Sequence, residues 1–318
     1  KKAFPEFKSP ASQVLQNVIF DLAAAYQMFF TKRQQGDHEV RPPGFKSWRK
    51  FVRQRYSQKD ICFVITGNTL RLAYGSKPSN WLEIKLPVDS YACVKTVDII
   101  YDGPGKKWYA CMTYQVEESP LKTEGSVIYF DPGCKTALTG LKTTGEFVEY
   151  DLNPLREINK STYALIDELL SERAHKKKGS SHWKRLNQQI RRLFGKIRTR
   201  IRVYLHTLSN TILDDHQGVK AFMIGNWKKK ETLADTGLAY VNRRINRAVQ
   251  NNNPLEELIG YLTYKSKLRG QAVKRFDERG TTRNCSACEH KSEEGIPPSK
   301  RVFECESCRF RYSRDHQS

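Results

Sequence analysis

Apolar positions fall into three textures along the chain. Over residues 12–33, Val14, Leu15, Val18, Ile19, Leu22, Ala25, Tyr26 and Phe29 recur three or four apart, which predicts an amphipathic helix. From Ile61 to Glu118 the runs become β-branched and aromatic: Ile61–Thr66, Leu70–Tyr74, Trp81–Leu86, Cys93–Tyr101 and Trp108–Val116. Gly67-Asn68 and Asp102-Gly103-Pro104-Gly105 supply turn chemistry between some of them. Five short strands at this spacing predict a small barrel or sandwich. A second unit opens at Gly125. There Ser126–Phe130 reads as a buried strand ending in Asp131-Pro132-Gly133, and Ala137–Leu141 with Glu146–Asp151 completes a three-stranded meander. Residues 155–212 predict helix, with Leu186, Ile190, Leu193, Phe194, Ile197, Ile201 and Leu205 on one face. Val219–Gly225 and Gln271–Asp277 read as strands on either side of a helical stretch over 231–269.

Charge adds a partner class to this outline. The 318 residues carry 55 Lys plus Arg against 34 Asp plus Glu, a formal charge of +21, while 38% hydrophobic residues suffice for a core. A folded protein with that imbalance points to a polyanion, nucleic acid above all, with a solvated basic surface as the plain alternative. No run approaches the roughly 20 apolar residues of a membrane span. The charge is also unevenly placed. From Arg173 to Arg202, both included, there are twelve Lys or Arg and no acid. Helices usually mix signs, so Lys184, Arg185, Arg191, Arg192, Lys196, Arg198, Arg200 and Arg202 are candidate phosphate contacts. Phe45, Lys46, Trp48, Arg49, Lys50, Phe51, Arg53, Arg55 and Tyr56 interleave rings with cations. That suits either a nucleic-acid surface or an amphipathic helix whose aromatics are core.

Four of the eight cysteines are scattered, and Cys285, Cys288, Cys305 and Cys308 form two Cys-x2-Cys pairs with sixteen residues between them. That spacing fits a tetrahedral four-thiolate zinc site, which leaves no open position and is therefore structural. Candidate chemistry lies with carboxylates. Two-metal nuclease sites gather acids from strand and helix ends around ions about 3.5–4 Å apart, and hard oxygen ligands suit Mg2+ or Mn2+. Asp131, Glu278 and Asp315 stand where an apolar strand stops or just past the zinc segment. A strand-terminal Asp opening an antiparallel meander, with helices following, is the layout of ribonuclease-H-like folds.

These residues carry a resemblance. Asp131-Pro132-Gly133-Cys134-Lys135-Thr136 resembles the first RuvC motif of TnpB proteins, transposon-encoded RNA-guided nucleases related to type V CRISPR effectors and to the eukaryotic Fanzor group. Thr281-Thr282-Arg283-Asn284-Cys285-Ser286-Ala287-Cys288 resembles their entry to the zinc ribbon, and Arg314-Asp315-His316 resembles the Asp that follows it. The common pattern places its second acid near Asn226. A branch of the family resembles this chain in carrying the glutamate on the later strand, where Glu278 stands. The usual Asn and Ala after the last Asp are Gln317 and Ser318 here.

The resemblance implies an α+β, α/β multidomain fold. Its expected parts are a helical recognition unit (1–57), a small WED-like β-barrel (58–122) and a ribonuclease-H-like RuvC domain (123–283) with a basic helical insertion at 155–212. A four-Cys zinc ribbon (284–312) and a truncated last RuvC motif (313–318) follow. It further implies an RNA-guided DNA endonuclease of a transposable element, which cuts beside a short flanking motif with Asp131, Glu278 and Asp315 holding two Mg2+, Mn2+ substituting. Zn2+ is structural, and the partners are a guide RNA from the transposon end and double-stranded target DNA, with no membrane. The expected setting is the prokaryotic cytoplasm and nucleoid, or a nucleus for a Fanzor-type relative. Two other readings stay open: a catalytically inactive RNA-guided repressor, for which Asn226 would mark a decayed site, and an unguided zinc-ribbon DNA-binding protein.

Overall fold

The computed structural model describes residues 4–45, 51–75, 80–87, 93–103, 106–133, 136–226, 254–277, 284–285, 287–292 and 302–313. Among the expected site residues, Lys46, Trp48, Arg49, Lys50, Glu278 and Asp315 lie outside this set. The chain divides into two compact units, Lys1–Val116 and Glu117–Ser318.

The first unit begins with helix α1 (Ser12–Gln34) and continues through β1 (Phe51–Tyr56), β2 (Phe63–Thr66), β3 (Thr69–Leu72), β4 (Leu82–Lys85), β5 (Val94–Asp102) and β6 (Lys107–Tyr114). The five expected strands are present, and part of the basic–aromatic run forms a sixth, β1, antiparallel to β5. The expected barrel is replaced by two open sheets of order β1-β5-β6 and β2-β3-β4. Closure needs a continuous hydrogen-bonded ladder around the ring, and no ladder joins these sheets among the described residues. Tyr56, Phe63, Leu70, Leu72, Val94 and Val97 make the core of the unit. Of the predicted apolar face of α1, only Val14 is buried in it. The helix docks through its first turns, where Asn17 Nδ2 donates to the Arg55 carbonyl at 3.0 Å. Val18, Ile19, Leu22 and Tyr26 remain exposed.

The second unit is built on a five-stranded sheet of β7 (Ser126–Pro132), β8 (Leu138–Lys142), β9 (Phe147–Tyr150), β10 (Val219–Gly225) and β11 (Ala272–Phe276), ordered β11-β10-β7-β8-β9. β7, β8 and β9 form the antiparallel meander that the sequence predicts. β10 runs parallel to β7, and β11 runs parallel to β10. Helices α2 (Asn153–Ala174) and α3 (Ser181–Asp215) connect β9 to β10, and α4 (Leu255–Leu268) precedes β11.

Strand alternation sorts the residues of β7 between two faces. Ile128 and Phe130 are fully buried with Phe222, Ile224, Leu205, Ile212, Leu213 and Leu258, so α3 and α4 cover this face. Tyr129 and Asp131 take the other. At Gly140 the sheet requires glycine, because a Cβ would stand 2.6 Å from Phe130 Cε1. The predicted helical stretch is a hairpin: α2 meets α3 along Ile166, Ile190 and Ile197. Ser180 caps α3 by accepting from the Trp183 amide at 3.2 Å.

A two-stranded ribbon, β12 (Val302–Glu304) and β13 (Arg311–Ser313), is the last element among the described residues.

Candidate functional site

Register fixes what shares the edge at Asp131. Ile224 of β10 pairs with Phe130, and Gly225 pairs with Phe276 of β11. Parallel partners point to the same face. Asp131 therefore stands level with Gly225 and Phe276 at the C-terminal edge of three parallel strands. The Tyr129 ring lies 6.3 Å from that of Phe276 on the same face. Asn226 extends the ladder by one bond, its amide donating to the Phe276 carbonyl at 2.9 Å. The position expected for an acid in the commoner pattern thus sits on this edge with a neutral side chain, and Asp277 follows Phe276 there. Ligands binding outside the carboxyl ends of parallel strands are the rule in open α/β sheets.

Two residues that sequence reasoning passed over brace the edge. Arg275 Nη1 donates to the Gly225 carbonyl at 3.0 Å, and its Nη2 meets Glu256 Oε2 on the first turn of α4 at 2.8 Å. Nothing in a sequence pairs those positions. An Arg one residue before a strand ends was the only available signal.

The four thiols come together as their spacing predicts. Every pair of Sγ atoms lies within 4.8 Å, with Cys285 to Cys308 at 3.7 Å and Cys288 to Cys305 at 3.6 Å. A tetrahedron with Zn–S bonds of ~2.3 Å has edges of ~3.8 Å, so the cluster fits zinc. The two knuckles repeat one geometry. Cys285 N donates to the His290 carbonyl and Cys305 N to that of Phe310, while Glu289 N and Arg309 N donate back to the Cys285 and Cys305 carbonyls. Both returning residues take left-handed backbone, at φ 60° and 59°. The Cys308 amide, donating to Cys305 Sγ at 3.5 Å, pulls that thiol down to about 6, which favours the ligating thiolate.

On α3, Lys184, Arg185, Arg191, Arg192, Lys196, Arg198, Arg200 and Arg202 are all exposed, outside the seam buried against α2. Arg200 is held in place by the Ile158 carbonyl and Thr162 Oγ1. The cations of β1 are engaged within their own unit. Arg53 meets Asp21 at 2.7 Å, and Arg55 meets both Asp98 oxygens, which raises its pKa further, chiefly through that hydrogen bond.

Residues 256–318 match the family model of the Cas12f1-like TNB domain. InsQ of Escherichia coli strain K12, provisionally named an RNA-guided DNA endonuclease, is 24% identical over 315 residues, covering 97% of this chain and 73% of its own length. A Streptomyces pristinaespiralis protein with the same provisional description is 26% identical over 214 residues, covering 67% of this chain and 49% of its own. Among solved structures, the chain in the cryo-EM structure of the Cas12f1–sgRNA–target DNA complex superposes with a TM-score of 0.63 at 14% identity. That likeness, which is one of fold, covers 90% of this chain and 66% of the other. Together the matched domain, the two relatives and the four-cysteine cluster support a TnpB-like protein.

Proposed function

We propose that the chain is an RNA-guided DNA endonuclease whose nuclease centre is a RuvC-type, two-metal site made by Asp131, Glu278 and Asp315. The observation that carries this reading is the position of Asp131, at the end of the central strand and level with Gly225 and Phe276 on one face. Glu278 follows Phe276 by two residues in the sequence and lies outside the described residues; the resemblance of the chain to the TnpB branch with a displaced glutamate supports its part in the centre. The sheet order, an antiparallel meander with two parallel strands beside its first member, is that of ribonuclease-H-like folds.

Bound Mg2+ ions supply the activated water and the neutralising charge at the leaving oxygen. The protein contributes the rest. Asp131 offers hard oxygens from a rigid strand, and the sheet holds it in register. The exposed cations of α3 neutralise backbone phosphates of guide RNA or heteroduplex, leaving sequence to base pairing. The thiolate cluster, saturated by its metal, organises the ribbon for contact with the DNA strand.

Cleavage of a plasmid carrying the target and its flanking motif, with protein, guide RNA and Mg2+, tests the proposal. Asp131→Ala and Glu278→Ala each abolish cutting while RNA retention is unchanged. Cutting that survives Asp131→Ala overturns it. Asn226 favours a second reading, a guided repressor without cleavage. Target binding without cutting by the parent protein selects that one, and a protein that purifies free of RNA and holds a fixed DNA sequence is instead an unguided binder.

A further inference from the structure

The edge that carries Asp131 has a missing donor. The Asn226 amide points at β11, so the amide and carbonyl of its neighbour Gly225 point the other way, at β7. In a parallel ladder with Ile224 opposite Phe130, the Gly225 carbonyl would receive the amide of residue 132. Residue 132 is proline and has no N–H. Gly225 and Pro132 are both buried, so this carbonyl would be left without a partner beside the candidate centre. Arg275 fills the gap, reaching from β11 to place Nη1 3.0 Å from the Gly225 oxygen, with Glu256 holding the other guanidinium nitrogen.

We propose that Arg275 is a positioning residue that stands in for the amide Pro132 lacks, and so holds the Asp131 end of β7 in register with β10 and β11. The positioning role rests on the two-metal reading above; the hydrogen-bond substitution does not. Arg275 sits level with Ile224, on the helix-covered face, so it acts through the strand ends rather than on the bound ions.

A double-mutant cycle on the full chain tests this, with Arg275→Met, Pro132→Ala and both together. Arg275→Met lowers the melting temperature of the second unit by about 4 °C and weakens Mn2+ binding, followed by titration calorimetry, about tenfold. Removing a cation beside carboxylates would by charge alone tighten Mn2+, so weakening can arise only through geometry. Pro132→Ala restores an N–H opposite the Gly225 carbonyl, and in that background both effects of Arg275→Met fall by more than half. Equal effects in both backgrounds overturn the substitution idea. A lower melting temperature with unchanged Mn2+ affinity makes Arg275 structural and overturns the positioning role. Mn2+ binding indifferent to Asp131→Ala refutes the two-metal reading and the positioning role with it. The melting cycle then still decides whether Arg275 replaces the amide.

Discussion

Gly140→Ala is the sharpest probe of the sheet beneath Asp131. Gly140 lies opposite Phe130 in the β7–β8 ladder. An added Cβ would stand 2.6 and 2.7 Å from Phe130 Cε1 and Cδ1, and 2.9 Å from Val148 Cγ2. The ring has nowhere to go: Phe130 is fully buried, stacked on Phe222 at 6.1 Å and edge-on to Tyr150 at 6.3 Å. Overpacking of this kind costs about 1–3 kcal/mol, offset by about 0.5 kcal/mol from the stiffer unfolded chain, for a net of about 1.5 kcal/mol. Hydrogen exchange followed by mass spectrometry reads that as about twelvefold faster exchange of the Ser126–Asp131 amides. Phe130→Leu removes the offending ring atoms, so the double variant costs less than the sum of the two singles. Exchange within threefold of the parent, or strict additivity, would refute the packing argument.

Acid should loosen the second unit through its histidines. His216 is 5% exposed, with Nε2 on the Tyr150 hydroxyl, and burial first, then Lys142, lowers its pKa. His206, stacked on Tyr261, is lowered by burial, Lys265 and Arg202. A depressed native pKa means the unfolded chain binds protons first. The stability is therefore present above about pH 6.5 and lost as pH falls toward the native values. The urea midpoint should drop between pH 7.5 and 5.5, and His216→Gln should flatten the trend. Cys288→Ser should release the zinc to a colorimetric chelator while Ser126–Pro132 protection stays at the parent level; retained stoichiometric zinc would contradict a four-thiolate site. Arg191→Ala with Arg192→Ala should reduce the slope of log K against log salt for RNA by roughly 2, whereas Arg55→Ala, already tied to Asp98, should leave it unchanged.

What was legible in the residues was whatever periodicity or spacing encodes locally. Val219–Gly225 emerges with the predicted bounds because every element packed on it demands the same apolar run. The Cys knuckles emerge because metal geometry dictates their spacing. The open sheets of the first unit were not legible. Strand content is local, whereas closure depends on partners chosen across the chain. Nor was the burial of α1, whose apolar stripe is long while the surface that receives it covers little beyond Val14. Arg275 shows the same limit at a single residue: its partner is a carbonyl on another strand, left open by a proline on a third.

The strand order also sets a timetable. β7 is the first strand of its sheet to be made and sits in the middle of it, yet one neighbour, β10, begins 87 residues after its end, and β11 begins 140 residues after it. At about 5–20 residues per second, a ribosome takes roughly 7–28 s to cover the longer gap. For the first 87 residues of that interval Ile128 and Phe130 lack Phe222 and Ile224, so the emerging chain presents greasy surface that chaperones can seize. The edge that carries Asp131 is complete only once β11 has been made, so a polypeptide that stops short of it has one flank of the central strands bare.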